Sequence, residues 1–189
     1  MRRLAGVGAV VVMVLGGACS SSHTSSPGDD GGGGGDGGSV GTCDQTCLDS
    51  AAGFAVIDLV DALYNQSIAG KPSGVQNVNT PCPLGGTAVI TGSDSVDTTH
   101  NLTSVNLQYA MTSCQVSANG TQLTVNGTIA EVGSFDTSNN TSLNYSSTGA
   151  TLLGSYAGTA INDPACVLHL EYNTSLKPQV TGVVCGRSF

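Results

Sequence analysis

The hydrophobic and polar positions change pattern three times along the 189 residues. Leu4 to Ala18, "LAGVGAVVVMVLGGA", is one apolar run without a charge. Ser20 to Gly41 is mostly Ser, Gly, Asp and Pro, with Val40 the one sizeable aliphatic side chain. From Leu48 the apolar residues return at helical spacing: Ala52, Ala55, Val56, Leu59, Val60 and Leu63. Phe54, Ile57 and Tyr64 widen that face, so the helix is largely covered. "TCLD" reads as a capping box with Thr46 at the N-cap and Asp49 three residues on, and Gly70 and Pro72 end the helix.

After Pro81-Cys82-Pro83 the period changes to two. "GTAVITG" is short and apolar. "SVNLQYAMTSC" puts Val105, Leu107, Tyr109 and Met111 on one face. "TQLTVNGTIAEVGSF" alternates through Leu123, Val125, Gly127 and Ile129. "TSLNYSSTGATLLGSYAG" is anchored by Leu143, Tyr145, Leu153 and Tyr156. "ACVLHLEY" aligns Cys166, Leu168, Leu170 and Tyr172, and "QVTGVVCG" closes the chain. "ANG", "SNN", "NDP" and "KP" separate these segments as turns. The opposite faces carry Thr, Ser, Asn and Gln, as in an antiparallel sheet with one solvated face. The pattern predicts an α+β domain: one N-terminal helix packed on a curved, mostly antiparallel sheet of about six strands in up-and-down order. Glycines such as Gly92, Gly127, Gly133 and Gly182 permit the curvature. The alternative architecture is a small β-sandwich.

The apolar run follows Arg2 and Arg3 and is short for a membrane span, which needs ~20 residues. It reads as a signal peptide over 1–18. Gly16, Gly17 and Ala18 lead into Cys19. This stretch resembles the lipobox of bacterial lipoproteins, where cleavage precedes a cysteine that receives diacylglycerol. Leu15 stands one place earlier than the lipobox leucine, and Gly16 takes the aliphatic position. The resemblance implies lipidation of Cys19 and a membrane partner through that lipid. The alternative is an ordinary cleaved signal peptide and a secreted or periplasmic protein. The Arg2-Arg3 pair lacks the flanking residues of a twin-arginine signal.

Residues 19–41 then form a disordered tether, too polar to offset chain entropy. Its end-to-end distance is about 25 Å for a Gly/Ser-rich chain of this length. Within it "GGSVG" satisfies the G-x-S-x-G pattern of a nucleophile elbow. That elbow requires a strand before the serine and a helix after it, and polyglycine supplies neither around Ser39.

The folded part, 42–189, is a single disulfide-stabilised domain. Setting Cys19 aside, Cys43, Cys47, Cys82, Cys114, Cys166 and Cys185 form an even set in an exported chain. Sequence alone leaves their pairing open. Strand adjacency points to Cys166–Cys185 across a hairpin and to Cys82–Cys114 on neighbouring strands, with Cys43–Cys47 at the helix start.

Together the lipobox-like cysteine, the tether, "CPLGGTAVITG" and the terminal "VVCG" resemble small envelope lipoproteins of Gram-negative bacteria. The folded domains of such proteins are mostly of unknown function, so the resemblance implies a location and no reaction. Ser20 after the cysteine points to the outer membrane.

The chemistry-bearing residues are sparse. His23, His100 and His169 lie far apart with no metal-ligand spacing, and no phosphate-binding loop follows a strand. Asp58 and Asp61 share a helix face and read as a solvated stripe. Without Arg2 and Arg3 the chain has three cations against thirteen carboxylates, a balance of −10, which excludes nucleic acid as a partner. The absence of tryptophan weakens a carbohydrate-platform reading, although Tyr109, Tyr145 and Tyr156 could stack on sugars. The N-x-S/T sequons at Asn101, Asn119, Asn126 and Asn173 read as part of a wet sheet face. The reading is a non-enzymatic envelope module that binds an envelope protein, glycan or lipid, or fills a structural role, with no cofactor and no metal. The first alternative is a carrier of a lipid or other apolar ligand between helix and sheet. The second is a hydrolase, which requires polar groups converging near His169 or Asp58/Asp61.

Overall fold

A computed structural model describes residues 43–189 apart from Thr137, Asn139 and Pro178. The signal segment, Cys19, the tether and Ser39 lie outside the described residues. The chain forms one helix, α1 (Gln45–Ser67), then β1 (Gly74–Pro81), β2 (Thr87–Asp97), β3 (Leu102–Ala118), β4 (Thr121–Asp136), β5 (Thr141–Tyr156), β6 (Thr159–Asn173), β7 (Val180–Val184) and β8 (Arg187–Ser188). The strands make a single sheet in the order β1-β2-β3-β4-β5-β6-β7-β8, and every neighbouring pair is antiparallel. The expected helix on an antiparallel up-and-down sheet is present, with eight strands rather than six.

The two additional strands have a common reason for escaping pattern analysis. β1 turns Gln76, Val78 and Thr80 inward, so two of its three core-facing positions are polar and no apolar alternation exists to be read. β8 has two residues, fewer than any period needs. The helix also starts earlier than the Thr46 capping box implies. Asp44 is the N-cap, and its carboxylate accepts the Cys47 amide at 2.9 Å. Asp49 is drawn elsewhere, to Arg187.

Bulges curve the long strands. In β3 the register slips between Met111 and Cys114, so the inward phase passes from Val105, Leu107, Tyr109 and Met111 to Cys114 and Val116. In β5 it slips between Ser147 and Ala150, moving the inward phase from Leu143 and Tyr145 to Ala150 and Leu152. Each slip inserts a residue on one strand and bends it. β4 lies between them and keeps one phase throughout, from Leu123 through Val125 and Ile129 to Glu131.

The helix packs on the inward face. Leu48, Ala52, Val56, Leu59, Val60 and Leu63 are buried there, together with Ile90, Leu107, Val125, Ile129, Leu152, Leu168 and Leu170. Gly53 lets the helix come close: a β-carbon there would meet the Phe189 ring and Val184 at 3.2 Å.

Three disulfides close the domain. Cys82, just after β1, joins Cys114 at the β3 bulge. Cys166 on β6 joins Cys185 in the turn after β7, and Cys43 joins Cys47 across the helix N-cap.

Candidate functional site

The most unusual chemistry lies beneath the helix. Asp58, Asp61 and Tyr64 follow at i, i+3 and i+6, so they descend one flank of α1. Opposite them the inward phases of four strands bring Tyr109 from β3, Glu131 from β4, Tyr145 from β5 and Tyr172 from β6. Glu131 and Tyr145 are direct register partners. The Tyr109 hydroxyl donates to Glu131 Oε2 at 2.5 Å, and the Tyr145 hydroxyl donates to Asp61 Oδ1 at 3.3 Å. Tyr109 and Tyr145 are 0% exposed and Glu131 is 2% exposed, while Asp61, Tyr64 and Tyr172 are partly buried. The Tyr64 ring stands edge-on to Phe135, with centroids 5.6 Å apart.

Burial in a weakly polar interior disfavours the charged form of each acid. It pushes Asp61 up to about 6; the Tyr145 hydrogen bond opposes that push, and the Asp58 charge adds to it. Burial pushes Glu131 up to about 7, opposed by the Tyr109 hydroxyl and reinforced by the charge of Asp61. The phenols respond in the same direction: burial, then the charges of Asp94 and Glu131, push Tyr64 up to about 12. Tyr109 and Tyr145 are raised well beyond the ordinary phenol range, first by burial and then by the neighbouring carboxylates. This cluster can therefore take up and release protons near neutrality. Its innermost groups are closed to a substrate in the arrangement described.

Asp58 and Asp61 are thus not the solvated stripe that their spacing suggested. Asp61 points back under the helix, and Asp58 accepts from Asn119 Nδ2 in the β3–β4 turn at 3.2 Å. Glu131 had a readable signal, an acid on the apolar phase of an alternating strand, in the "TIAEV" of "TQLTVNGTIAEVGSF". Tyr109 and Tyr145 are core residues and offer no stacking surface. His169 stands exposed on the outer face, and His100 pairs with Asp97 at 2.7 Å in the β2–β3 loop. Neither of these two histidines joins the acid cluster. Among the described residues no group of three or more His, Cys, Asp or Glu side chains is arranged to hold a metal, and no helix is long and apolar enough to cross a membrane.

Tyr109→Phe isolates the energetic role of the hydroxyl. It leaves the buried Glu131 carboxyl without that donor, at an expected cost of about 1–3 kcal/mol in chemical denaturation. The cost is expected to be larger at pH 8 than at pH 5, because the ionised carboxylate depends more on a donor.

A second polar group sits where β1 meets β2. Asp94, 7% exposed, accepts from Gln76 Nε2 at 2.6 Å and from the Gly74 amide at 3.3 Å. All its partners are structural. A shallow depression lies where the β4–β5 and β6–β7 loops meet, lined by Ser134, Asp136, Asn140 and Asn173. Asp136 there is engaged by Ser138 and Asn140 of its own loop.

The chain matches no protein-family model, no curated protein and no solved structure.

Proposed function

We propose that this chain is a lipid-anchored envelope protein whose folded domain is a non-catalytic binding or structural module. The observation that carries the reading is that α1 fills the inward side of the curved sheet. The acids and phenols beneath it hydrogen-bond one another instead of lining a cleft. The outer face supports the kind of partner. One register row there runs Asn77, Thr91, Gln108, Ala130, Ser146 and His169, with a hydrogen-bonding side chain at every position but Ala130 and no carboxylate. Such a row suits a glycan or the polar rim of another envelope protein. A lipid on Cys19 and the tether would hold this face off the membrane, in the outer membrane of a Gram-negative bacterium.

Lipid attachment is tested by expressing the full chain in a Gram-negative host and fractionating the envelope. The wild type is expected in the membrane fraction with a diacylglycerol-sized mass on the mature N-terminus, and Cys19→Ser is expected to lose both. A wild-type chain released without added mass would overturn the anchor and leave a secreted or periplasmic domain.

The carrier reading keeps one supporting observation, the bulges that bend the long strands of a sheet covered by a single helix. It requires that α1 give way to a ligand.

A further inference from the structure

Two carboxyl groups, Asp61 and Glu131, lie under the middle of α1, and the hydrogen bonds they receive come from tyrosine hydroxyls. Buried carboxyls are ordinarily paired with a cation. Here the titratable groups coupled to the pair from the packed elements are acids or phenols: Asp58 and Tyr64 from α1, Tyr109 from β3, Tyr145 from β5 and Tyr172 from β6, with Asp94 of β2 acting on Tyr64. The described residues contain three cations. Arg187 is committed to Asp49, twelve residues from Asp61 and so about 18 Å away along the helix. Lys71 and Lys177 are exposed, His169 is on the outer face and His100 pairs with Asp97. Protonated, the two acids are satisfied by their hydroxyl neighbours. Ionised, they place two like charges in the seam between helix and sheet. Across that seam Asp61 of α1 meets the sheet through the Tyr145 hydroxyl instead of through interlocked aliphatic side chains.

We propose that Asp61 and Glu131, with the tyrosines that hydrogen-bond them, form a proton-dependent latch that seats α1 when both carboxyls are protonated and loosens its Asp58–Tyr64 turns when they ionise. The inference stands apart from the membrane anchor. It does not depend on Cys19 being lipidated.

Both acids are raised from their ordinary values, 3.8 for Asp61 and 4.5 for Glu131, to about 6 and about 7. The folded state therefore holds protons that the unfolded chain has already lost. The stabilisation is complete below pH about 4 and is lost as pH rises through about 6 to 7. Asp61 is partly buried, which gives protons a route between the seam and solvent.

Amide hydrogen exchange on the intact, oxidised full chain tests this, at pH 5 and pH 8 with rates corrected for intrinsic base catalysis. In the wild type, protection across Asp58–Tyr64 is expected to fall about tenfold or more at pH 8, while the β3–β4 and β5–β6 ladders keep theirs. Asp61→Asn and Glu131→Gln should each reduce the fall, and the pair together should abolish it. Asp97→Asn in the β2–β3 loop should leave it unchanged. Equal protection at both values in the wild type would overturn the latch. So would a loss spread evenly over every strand, which is global unfolding, or an undiminished fall in Asp61→Asn. If Glu131→Gln fails to fold, carbon-13 titration of the wild-type side-chain carboxyls decides: two of them must titrate between about pH 5.5 and 7.5. If every carboxyl titrates below pH 5, the proposal fails.

Discussion

Replacing Arg187 with methionine should destabilise the domain by about 3 kcal/mol, out of proportion to a side chain that is 41% exposed. The reason lies with its partner. Asp49 is 2% exposed in the second turn of α1, and Arg187 of β8 engages both of its oxygens: Nε donates to Oδ2, and Nη2 donates to Oδ1 at 2.9 Å. Nη2 also reaches Asp163 of β6 at 3.4 Å, and Gln45 donates to Asp49 at 2.8 Å. Truncating the arginine leaves an ionised carboxylate inside with only the Gln45 amide to serve it, and removing one partner of such a pair costs about 3–5 kcal/mol. The lower figure applies because water reaches part of the guanidinium. Replacing both residues, as in Asp49→Leu/Arg187→Met, removes the stranded charge, so the double variant should recover most of the loss. Urea denaturation at pH 7 checks this through the midpoint, at constant slope. A single variant within about 0.5 kcal/mol of wild type, or a double variant no better than the single, would show that the pair does not carry this load.

Opening the disulfides is the second large effect, and the bridges should rank by the loop each closes. Cys82–Cys114 spans 32 residues, Cys166–Cys185 spans 19 and Cys43–Cys47 spans 4. Loop-closure entropy in the unfolded chain assigns about 4, about 3 and about 2 kcal/mol to them in that order. Single domains hold only about 5–15 kcal/mol in total, so full reduction should unfold this one at or near room temperature. Topology adds to the ranking. Cys82–Cys114 ties the turn after the edge strand β1 to the β3 bulge, across β2. Cys166–Cys185 pins the short β7 and β8, which have few ladder hydrogen bonds of their own. Paired Cys→Ala variants and denaturant midpoints measure each contribution. A fully reduced chain that keeps its oxidised midpoint would contradict the account.

How much of this could be read from the chain depends on where side chains obey a period. α1 was legible because its apolar residues follow 3.6 spacing from Leu48 to Leu63, over about four turns, and β3 to β6 because theirs alternate. β1 was not, since Gln76 and Thr80 face inward and meet polar partners, Asp94 and Gln66 respectively. β8 pairs with β7 over two residues and is tied to α1 by Arg187 reaching Asp49, a contact 138 residues apart that no local window contains. The Asp61–Glu131 cluster was half visible. Glu131 sits in phase with Ile129 and Val125, which marks it as inward, but its neighbour Asp61 is supplied by an element 70 positions earlier. Helical spacing gave Asp61 a face without saying that tyrosines from two strands would cover it. Function was less legible still, because no residue pattern here requires a particular reaction.

The central claim is that α1, and not a bound cargo, fills the inward side of the sheet. Native mass spectrometry of residues 40–189, exported to a bacterial periplasm and gently purified, tests it most directly. The account predicts a bare polypeptide mass, lighter by six hydrogens for the three disulfides. A further lipid-sized mass, retained in native spray and lost on denaturation, would contradict it and establish the domain as a carrier.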